Sequence, residues 1–210
     1  MHRLDDVVAL ILGVRARTPA ARAVLVALSG IDGAGKGYVS EQIAKQVAQT
    51  GNRIASINVD GWLEPPDRRF SKDHPAEHYY EHGIRFDAMF EQLVLPLRNC
   101  RSVHLEAQLA DATNTGTLRS HAYEFEDIDI VLLEGIFLLK RTLRSYYDLS
   151  LWVDCSFDTA LRRAVGRAQE GLSEEETVRA YELIYFAAQR LHLARDDPRA
   201  AADLIIDNDR

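Results

Sequence analysis

The stretch from Ala23 to Ser40, AVLVALSGIDGAGKGYVS, constrains this chain more than any other segment. Ala23–Leu28 is an unbroken apolar run rich in β-branched residues, the pattern of a strand buried on both faces of a parallel sheet. Val39, Ile43 and Val47 then recur at helical spacing, with Gly51 as a stop signal. Between them lies a glycine-rich turn, in which Gly30, Gly33 and Gly35 let backbone N–H groups curl around an anion. The helix opening near Lys36 aims its positive end at the same point, and the ammonium of Lys36 adds a full charge. Gly30, Ile31, Asp32, Gly33, Ala34, Gly35, Lys36, Gly37 and Tyr38 are therefore a candidate cradle for nucleotide phosphates.

The turn follows the pattern G-x-x-x-x-G-K-[ST] except at its last position, which is Gly37. That position ordinarily supplies a hydroxyl to Mg²⁺. Glycine keeps the backbone N–H, so the phosphate cradle survives. Mg²⁺ usually retains several waters, and one more water is a plausible substitute for the missing ligand.

Further apolar runs punctuate the chain. Arg53–Asp60 and Asp129–Gly135 read as strands that carry an acid near their ends, Asp60 and Glu134. Leu149–Cys155 and the ADLIIDND segment near the end read as two more. Residues 74–99 read as mostly helical, and residues 101–126 as irregular strands or a hairpin. Ser173 and Glu176 form a capping box that opens a long helix to about Arg195. Strands alternating with helices predict an α/β fold, an open, mostly parallel five-stranded sheet flanked by helices. Ligands in such sheets bind beyond the carboxyl ends of the strands, where the glycine turn, Asp60 and Glu134 all fall. Either acid could hold a metal directly or through water.

Composition narrows the class. The 210 residues suffice for one domain over 1–210, and 47% hydrophobic with 27% charged content is ordinary for a soluble globular chain. A net charge of −7 argues against broad nucleic-acid contact. Residues 1–20 carry an apolar run too short to span a bilayer, with Asp5 and Asp6 before it and Arg15 and Arg17 at its end. This reads as an amphipathic helix that packs on the core or forms a subunit contact in a homo-oligomer. Cys100 and Cys155 read as reduced thiols, and the expectation is a cytoplasmic protein without membrane contact. His74, His78 and His82 recur every four residues, but no acid or cysteine completes a metal motif, and a polar helix face is the better reading.

Taken together, GIDGAGKG, NVDGW, VLLEGIFLL and ADLIID, each at a strand end or within a strand, are similar to the phosphoribulokinase and uridine kinase group of P-loop small-molecule kinases. DTALRRAVGR resembles that group's lid helix. The resemblance implies a P-loop NTPase-like fold with a small lid near residues 158–172, and ATP and Mg²⁺ as ligands. It implies that Lys36 and the loop amides bind ATP, that Asp60 takes the proton of an acceptor hydroxyl near the metal, and that Glu134 binds Mg²⁺ or its waters. Arg163 and Arg167 become lid arginines, and residues 202–207 lie near the adenine.

The implied acceptor is a nucleoside, chiefly uridine, with a sugar- or pantothenate-like alcohol as the alternative. The family's Tyr-Asp-Phe segment is not recognisable, and Arg119, His121 and Tyr123 stand in that region as candidate substrate contacts. Ala168 follows Arg167 where the group often has Asp. A third alternative, suggested by Gly37, is a nucleotide-binding regulator that no longer transfers phosphate.

Overall fold

A computed structural model describes residues 4–110, 117–167 and 173–209. The chain opens with helix α1 (Leu4–Arg17), then β1 (Val24–Gly30), α2 (Lys36–Gln49) and β2 (Ile54–Asn58). Short helix α3 (Pro66–Arg69) and α4 (Pro75–His82) follow. Next, α5 (Phe86–Met89), a π-helical stretch (Phe90–Val94) and α6 (Leu95–Cys100) run on as one rod. Strands β3 (Val103–Ala110) and β4 (Leu118–Phe125) form an antiparallel hairpin. After β5 (Ile130–Gly135) and β6 (Leu149–Asp154) come α7 (Phe157–Arg167), α8 (Glu174–Ala180), a second π-helical stretch (Tyr181–Tyr185) and α9 (Phe186–Asp196). Helix α10 (Pro198–Ala201) leads into β7 (Leu204–Asp207).

The main sheet has five strands in the order β2-β5-β1-β6-β7, and every pairing in it is parallel. All seven residues of β1 and all six of β5 are buried, which explains why both read as unbroken apolar runs. Each fully buried aliphatic side chain there contributes about 1.5–3 kcal/mol. Strand β1 lies between β5 and β6; the chain passes from β1 to β2 on one side and later from β5 across to β6 on the other. The crevice at its carboxyl end is the topological switch point where ligands bind in such sheets.

Several local expectations meet their physical cause here. The second strand stops at Asn58, two residues before Asp60, because the Asn58 side chain accepts from Asp60 N at 2.7 Å. That bond caps a 3₁₀ turn over Val59–Trp62. The Ser173–Glu176 capping box forms in both directions. Helix α1 buries Val7, Val8 and Ile11 and packs on α2 and β1, and Arg15 reaches Asp129 at 3.3 Å. Its apolar face therefore belongs to the core. No helix among the described residues is long and apolar enough to cross a membrane.

Two carboxylates, the half-buried Asp148 and the buried Asp196, fasten the periphery. Asp148 accepts from Arg22, Arg98 and Leu25 N, tying the amino ends of β1 and β6 to α6. Asp196, at the end of α9, accepts from Tyr80 Oη at 2.6 Å, His192 Nδ1 at 2.7 Å and Arg141 N at 3.0 Å. Burial alone would raise the Asp196 pKa, but the bonds from His192, Tyr80 and Arg141 N outweigh it and hold the group well below the usual carboxylate range. Burial keeps His192 toward its neutral form, so its Nδ1–H is a neutral donor to the carboxylate.

A carboxylate with a depressed folded pKa stabilises the fold above its unfolded pKa, and the contribution is lost as pH falls through the folded value. Asp196→Asn is therefore expected to cost about 2–3 kcal/mol in urea unfolding at neutral pH. The gap to the native chain should narrow once pH drops below about 4. A gap that widens in acid would contradict this account.

Candidate active site

The glycine turn follows β1 directly and passes into α2. Gly33 and Gly35 take φ angles of 76° and 86°, a left-handed conformation that other residues rarely adopt. A Cβ on Gly35 would also stand 2.5 Å from Asn208 Nδ2. Lys36 is buried, and its Nζ donates to Ile31 O at 3.0 Å, folding the side chain across the turn. Gly37 behaves differently, because nothing lies within 4 Å of where its Cβ would be. A serine would fit there, and so would a water.

The outer side of the turn is held by three remote elements. Asn208, just past β7, donates from Nδ2 to Ala34 O at 2.7 Å. Arg163 on α7 donates to Ala34 O at 3.3 Å, to Gly33 O at 3.4 Å and to Asn208 O at 2.8 Å. Gln189 on α9, 2% exposed, accepts from Asp32 N at 2.9 Å. Arg163, expected over the phosphates, thus sits on the carbonyl side of the turn in this structure. Arg167 differs, with Nη2 3.9 Å from Asp32 Oδ1 and an electrostatic pull on Asp60. Residues 168–172, the rest of the expected lid region, lie outside the described residues.

Asp60 and Glu134 flank the turn from the other side. Glu134 is the fifth residue of β5, in register with Leu28 of β1 and Asn58 of β2. Gly135 lets the Asp60 turn close on it, since a Cβ there would meet Val59 Cγ2 at 2.0 Å. Glu134 is 8% exposed, and desolvation raises its pKa, with Lys36 opposing and Asp60 and Asp32 reinforcing. Asp60 reaches solvent yet is crowded by protein. Desolvation and then Asp32 raise its pKa, while Lys36, Arg69 and Arg167 pull it down. Three acids and three cations therefore share one small volume.

Mg²⁺ suits this donor set in a limited way. Among the described residues no three His, Cys, Asp or Glu side chains converge on one point. A Mg²⁺ that arrives with phosphate oxygens and waters needs only one or two carboxylates, and Asp60 and Glu134 can supply them. The open space at Gly37 leaves room for the extra water.

The hairpin forms the far wall. Leu109 packs over Gly61, with Cδ1 3.2 Å from a Cβ built there. Arg119, His121 and Tyr123 pair with Leu109, Ala107 and Leu105, so they share the hairpin's inner face. His121 and Tyr123 rings stand 4.6 Å apart. Burial raises the Tyr123 pKa, and its hydroxyl lies beside Trp62 Nε1 without meeting full hydrogen-bond geometry. The histidines of α4 are accounted for otherwise, as His78 Nε2 meets Arg68 O at 2.7 Å and His82 meets Glu81.

Sequence reasoning did not single out Tyr79, Gln189 or Asn208, and it left Arg68 and Arg69 alike as residues of a loop beside the site that touch either substrate or solvent. Arg68 and Arg69 look alike in sequence, but Arg68 is exposed and Arg69 is 6% exposed beside Asp60. Tyr79 stacks on Phe70 at 5.8 Å and meets Tyr185 at 5.3 Å. Desolvation raises its pKa strongly, reinforced by Asp32 and Asp60. The one legible signal is the Pro65-Pro66 start of α3, which predicts a turn of helix but not which arginine faces inward.

The turn, strand order and acids define a phosphate-loop protein, and comparison with known proteins gives its kind. The model of the phosphoribulokinase / uridine kinase family matches residues 25–185. The chain belongs to that family of P-loop kinases, whose members are phosphotransferases with a hydroxyl acceptor. Solved structures share its fold. One titled a "possible uridine kinase", from Bacillus stearothermophilus, is 18% identical with a TM-score of 0.75, covering 97% of each chain. A "putative fructose transport system kinase" from Silicibacter sp. TM1040 is 22% identical with a TM-score of 0.75, covering 98% of this chain and 100% of the other. D-glycerate 3-kinase from Cryptococcus neoformans is 14% identical with a TM-score of 0.60, covering 88% and 89%. No curated protein matches the sequence.

Two variants test the turn. Asn208→Ala removes one bond to Ala34 O and should weaken ADP binding by about three- to tenfold in calorimetry. Gly37→Ser exchanges a water for a hydroxyl and should change the Mg²⁺ requirement by no more than about tenfold. A change of several orders of magnitude at Gly37 would mean that water does not fill this vertex.

Proposed function

We propose that this protein transfers the γ-phosphoryl group of ATP to a hydroxyl of a small molecule. The observation that carries the reading is the pairing of a lysine-bearing phosphate turn with Asp60 and Glu134 at the carboxyl ends of neighbouring strands. The turn's inward amides and Lys36 bind the β- and γ-phosphates. Arg167 faces the same acids and offsets charge on the transferring group. Mg²⁺, held by Asp60 and Glu134 directly or through water, supplies further charge neutralisation when bound. Asp60 orients the acceptor hydroxyl and takes its proton, a task that its raised pKa favours. The hydroxyl oxygen bonds to the γ-phosphorus, the bond to the β,γ-bridging oxygen breaks, and ADP leaves with that electron pair.

Arg119, His121 and Tyr123 line the acceptor wall in this reading, with the Asp60 turn opposite. The nucleoside acceptor drawn from the uridine kinase likeness is one member of the class of small alcohols the cleft admits. A regulator that only binds nucleotide is supported by Gly37 alone. Such a protein has no use for Asp60 on the acceptor side, which favours the kinase.

Transfer from γ-labelled ATP with Mg²⁺ to a panel of nucleosides, sugars and hydroxy acids tests this. Lys36→Ala should lower kcat/KM at least about 10²-fold. Asp60→Asn should lower kcat by about 10²- to 10⁴-fold while ADP still binds. Labelled product that persists undiminished in Lys36→Ala, or no ADP binding by the native chain, would sink the reading.

A further inference from the structure

A phosphate-binding turn that carries an acid of its own is at odds with its ligand. Asp32 is such an acid, set between Ile31 and Gly33 inside the turn. Its Oδ1 accepts from Gly33 N at 2.8 Å. The same oxygen lies 3.9 Å from Nη2 of Arg167, at the end of α7. The Asp32 amide is fixed from behind by Gln189 Oε1 at 2.9 Å, so the residue is held in place. After desolvation, the Asp32 charge raises the pKa values of Asp60 and Tyr79 further, and it acts in the same direction on Glu134. Its carboxylate therefore belongs to the centre of the site. A turn amide and a guanidinium are the two kinds of donor that a γ-phosphoryl group needs, and Asp32 draws on both with one oxygen. The fold has little need of a charge at this position. Any neutral oxygen would satisfy Gly33 N, and the Arg167–Asp32 pair is 44% and 32% exposed, a kind of ion pair that adds little to stability.

We propose that Asp32 is a built-in competitor of the γ-phosphoryl group, holding Arg167 until ATP takes it over. The proposal rests on the kinase reading above and gives Arg167 two alternative partners within that same site. ATP brings more highly charged oxygens to the same donors, Arg167 passes to them, and Asp32 is left beside a like charge. ADP brings no γ-phosphoryl group, so the Asp32–Arg167 pair stays closed. The acid therefore lowers affinity for ATP and spares ADP. It recaptures Arg167 once the phosphoryl group has left with the acceptor. A ligand shifts such an equilibrium only by its differential affinity for the two states, and here the difference is the γ-phosphoryl group. Asp32 is a positioning residue in this scheme, and the bonds made and broken are those already described.

Calorimetry with Mg²⁺ and either ADP or a non-hydrolysable ATP analogue, on the native chain and on Asp32→Asn, tests the idea. Asparagine keeps an oxygen for Gly33 N and removes only the charge. The analogue should bind Asp32→Asn about three- to tenfold more tightly than the native chain, while ADP stays within about twofold. In an Arg167→Gln background the same substitution should gain less than about twofold, because the contested donor is gone. If Asp32→Asn melts early, Asp32→Ser, which offers a hydroxyl oxygen without charge, carries the same test. Equal gains for ADP and the analogue overturn the proposal, since they would report charge relief on the whole nucleotide. Unchanged or weaker binding of the analogue also overturns it, weaker binding being the mark of an acid that helps to hold Mg²⁺. A gain that survives intact in Arg167→Gln does the same. Each of these outcomes leaves the kinase reading standing, whereas failure of the native chain to bind either nucleotide ends both.

Discussion

One backbone requirement governs the site. A turn whose amides point inward at phosphate must point carbonyls outward, and a buried carbonyl without a partner is costly. Arg163 and Asn208 meet the carbonyls of Gly33 and Ala34, while the Asp32 amide, which faces away from the cradle, is met by Gln189. These three supports come from α7, the end of β7 and α9, all on the last third of the chain. The sheet order makes this possible. Placing β6 beside β1 and β7 beside β6 brings the chain's end back to the loop that follows its first strand.

The charges around the turn follow a second constraint. Asp32, Asp60 and Glu134 are gathered where desolvation and mutual repulsion oppose ionisation of Asp60 and Glu134. Lys36 offsets both, and Arg69 and Arg167 act on Asp60. A site preorganised in this way spends folding energy in advance and avoids reorganisation when phosphate charge moves. The stored cost is borne by the buried sheet beneath it, where β1 and β5 are covered on both faces.

The sheet and the loop were legible in sequence because each rests on local pattern. Unbroken apolar runs report strands buried on two faces, and glycine spacing reports a turn that requires positive φ. Asp60 and Glu134 were legible for the same reason, since each follows or ends such a run. The supports were not. Gln189 and Asn208 are ordinary polar residues whose roles arise from contacts spanning more than 150 positions, 157 for Gln189 to Asp32 and 174 for Asn208 to Ala34. Arg163 was expected as a lid residue because DTALRRAVGR resembles the family's lid helix, yet its reach toward the carbonyls depends on where α7 docks. Arg69 was hidden by its twin at 68, because a single helical turn gives no periodicity to separate inward from outward. Residues 101–126 read as irregular strands or a hairpin, and the hairpin that forms has a weak pattern because only one of its faces is covered and β4 is mostly exposed.

The helix running from α8 through α9 joins the two halves of the site. Tyr185 closes the π-helical stretch and packs on Tyr79 and Phe70, whose ring also meets Arg69. Gln189 lies four residues later, on the same face, and holds the Asp32 amide of the phosphate turn. A π-helical stretch widens the helix locally and shifts the face it presents, a feature often found beside functional sites. Here it sets the aromatic contact of Tyr185 one turn away from the bond of Gln189 to the phosphate turn. Phe70, Tyr79 and the phosphate turn therefore rest on one helix.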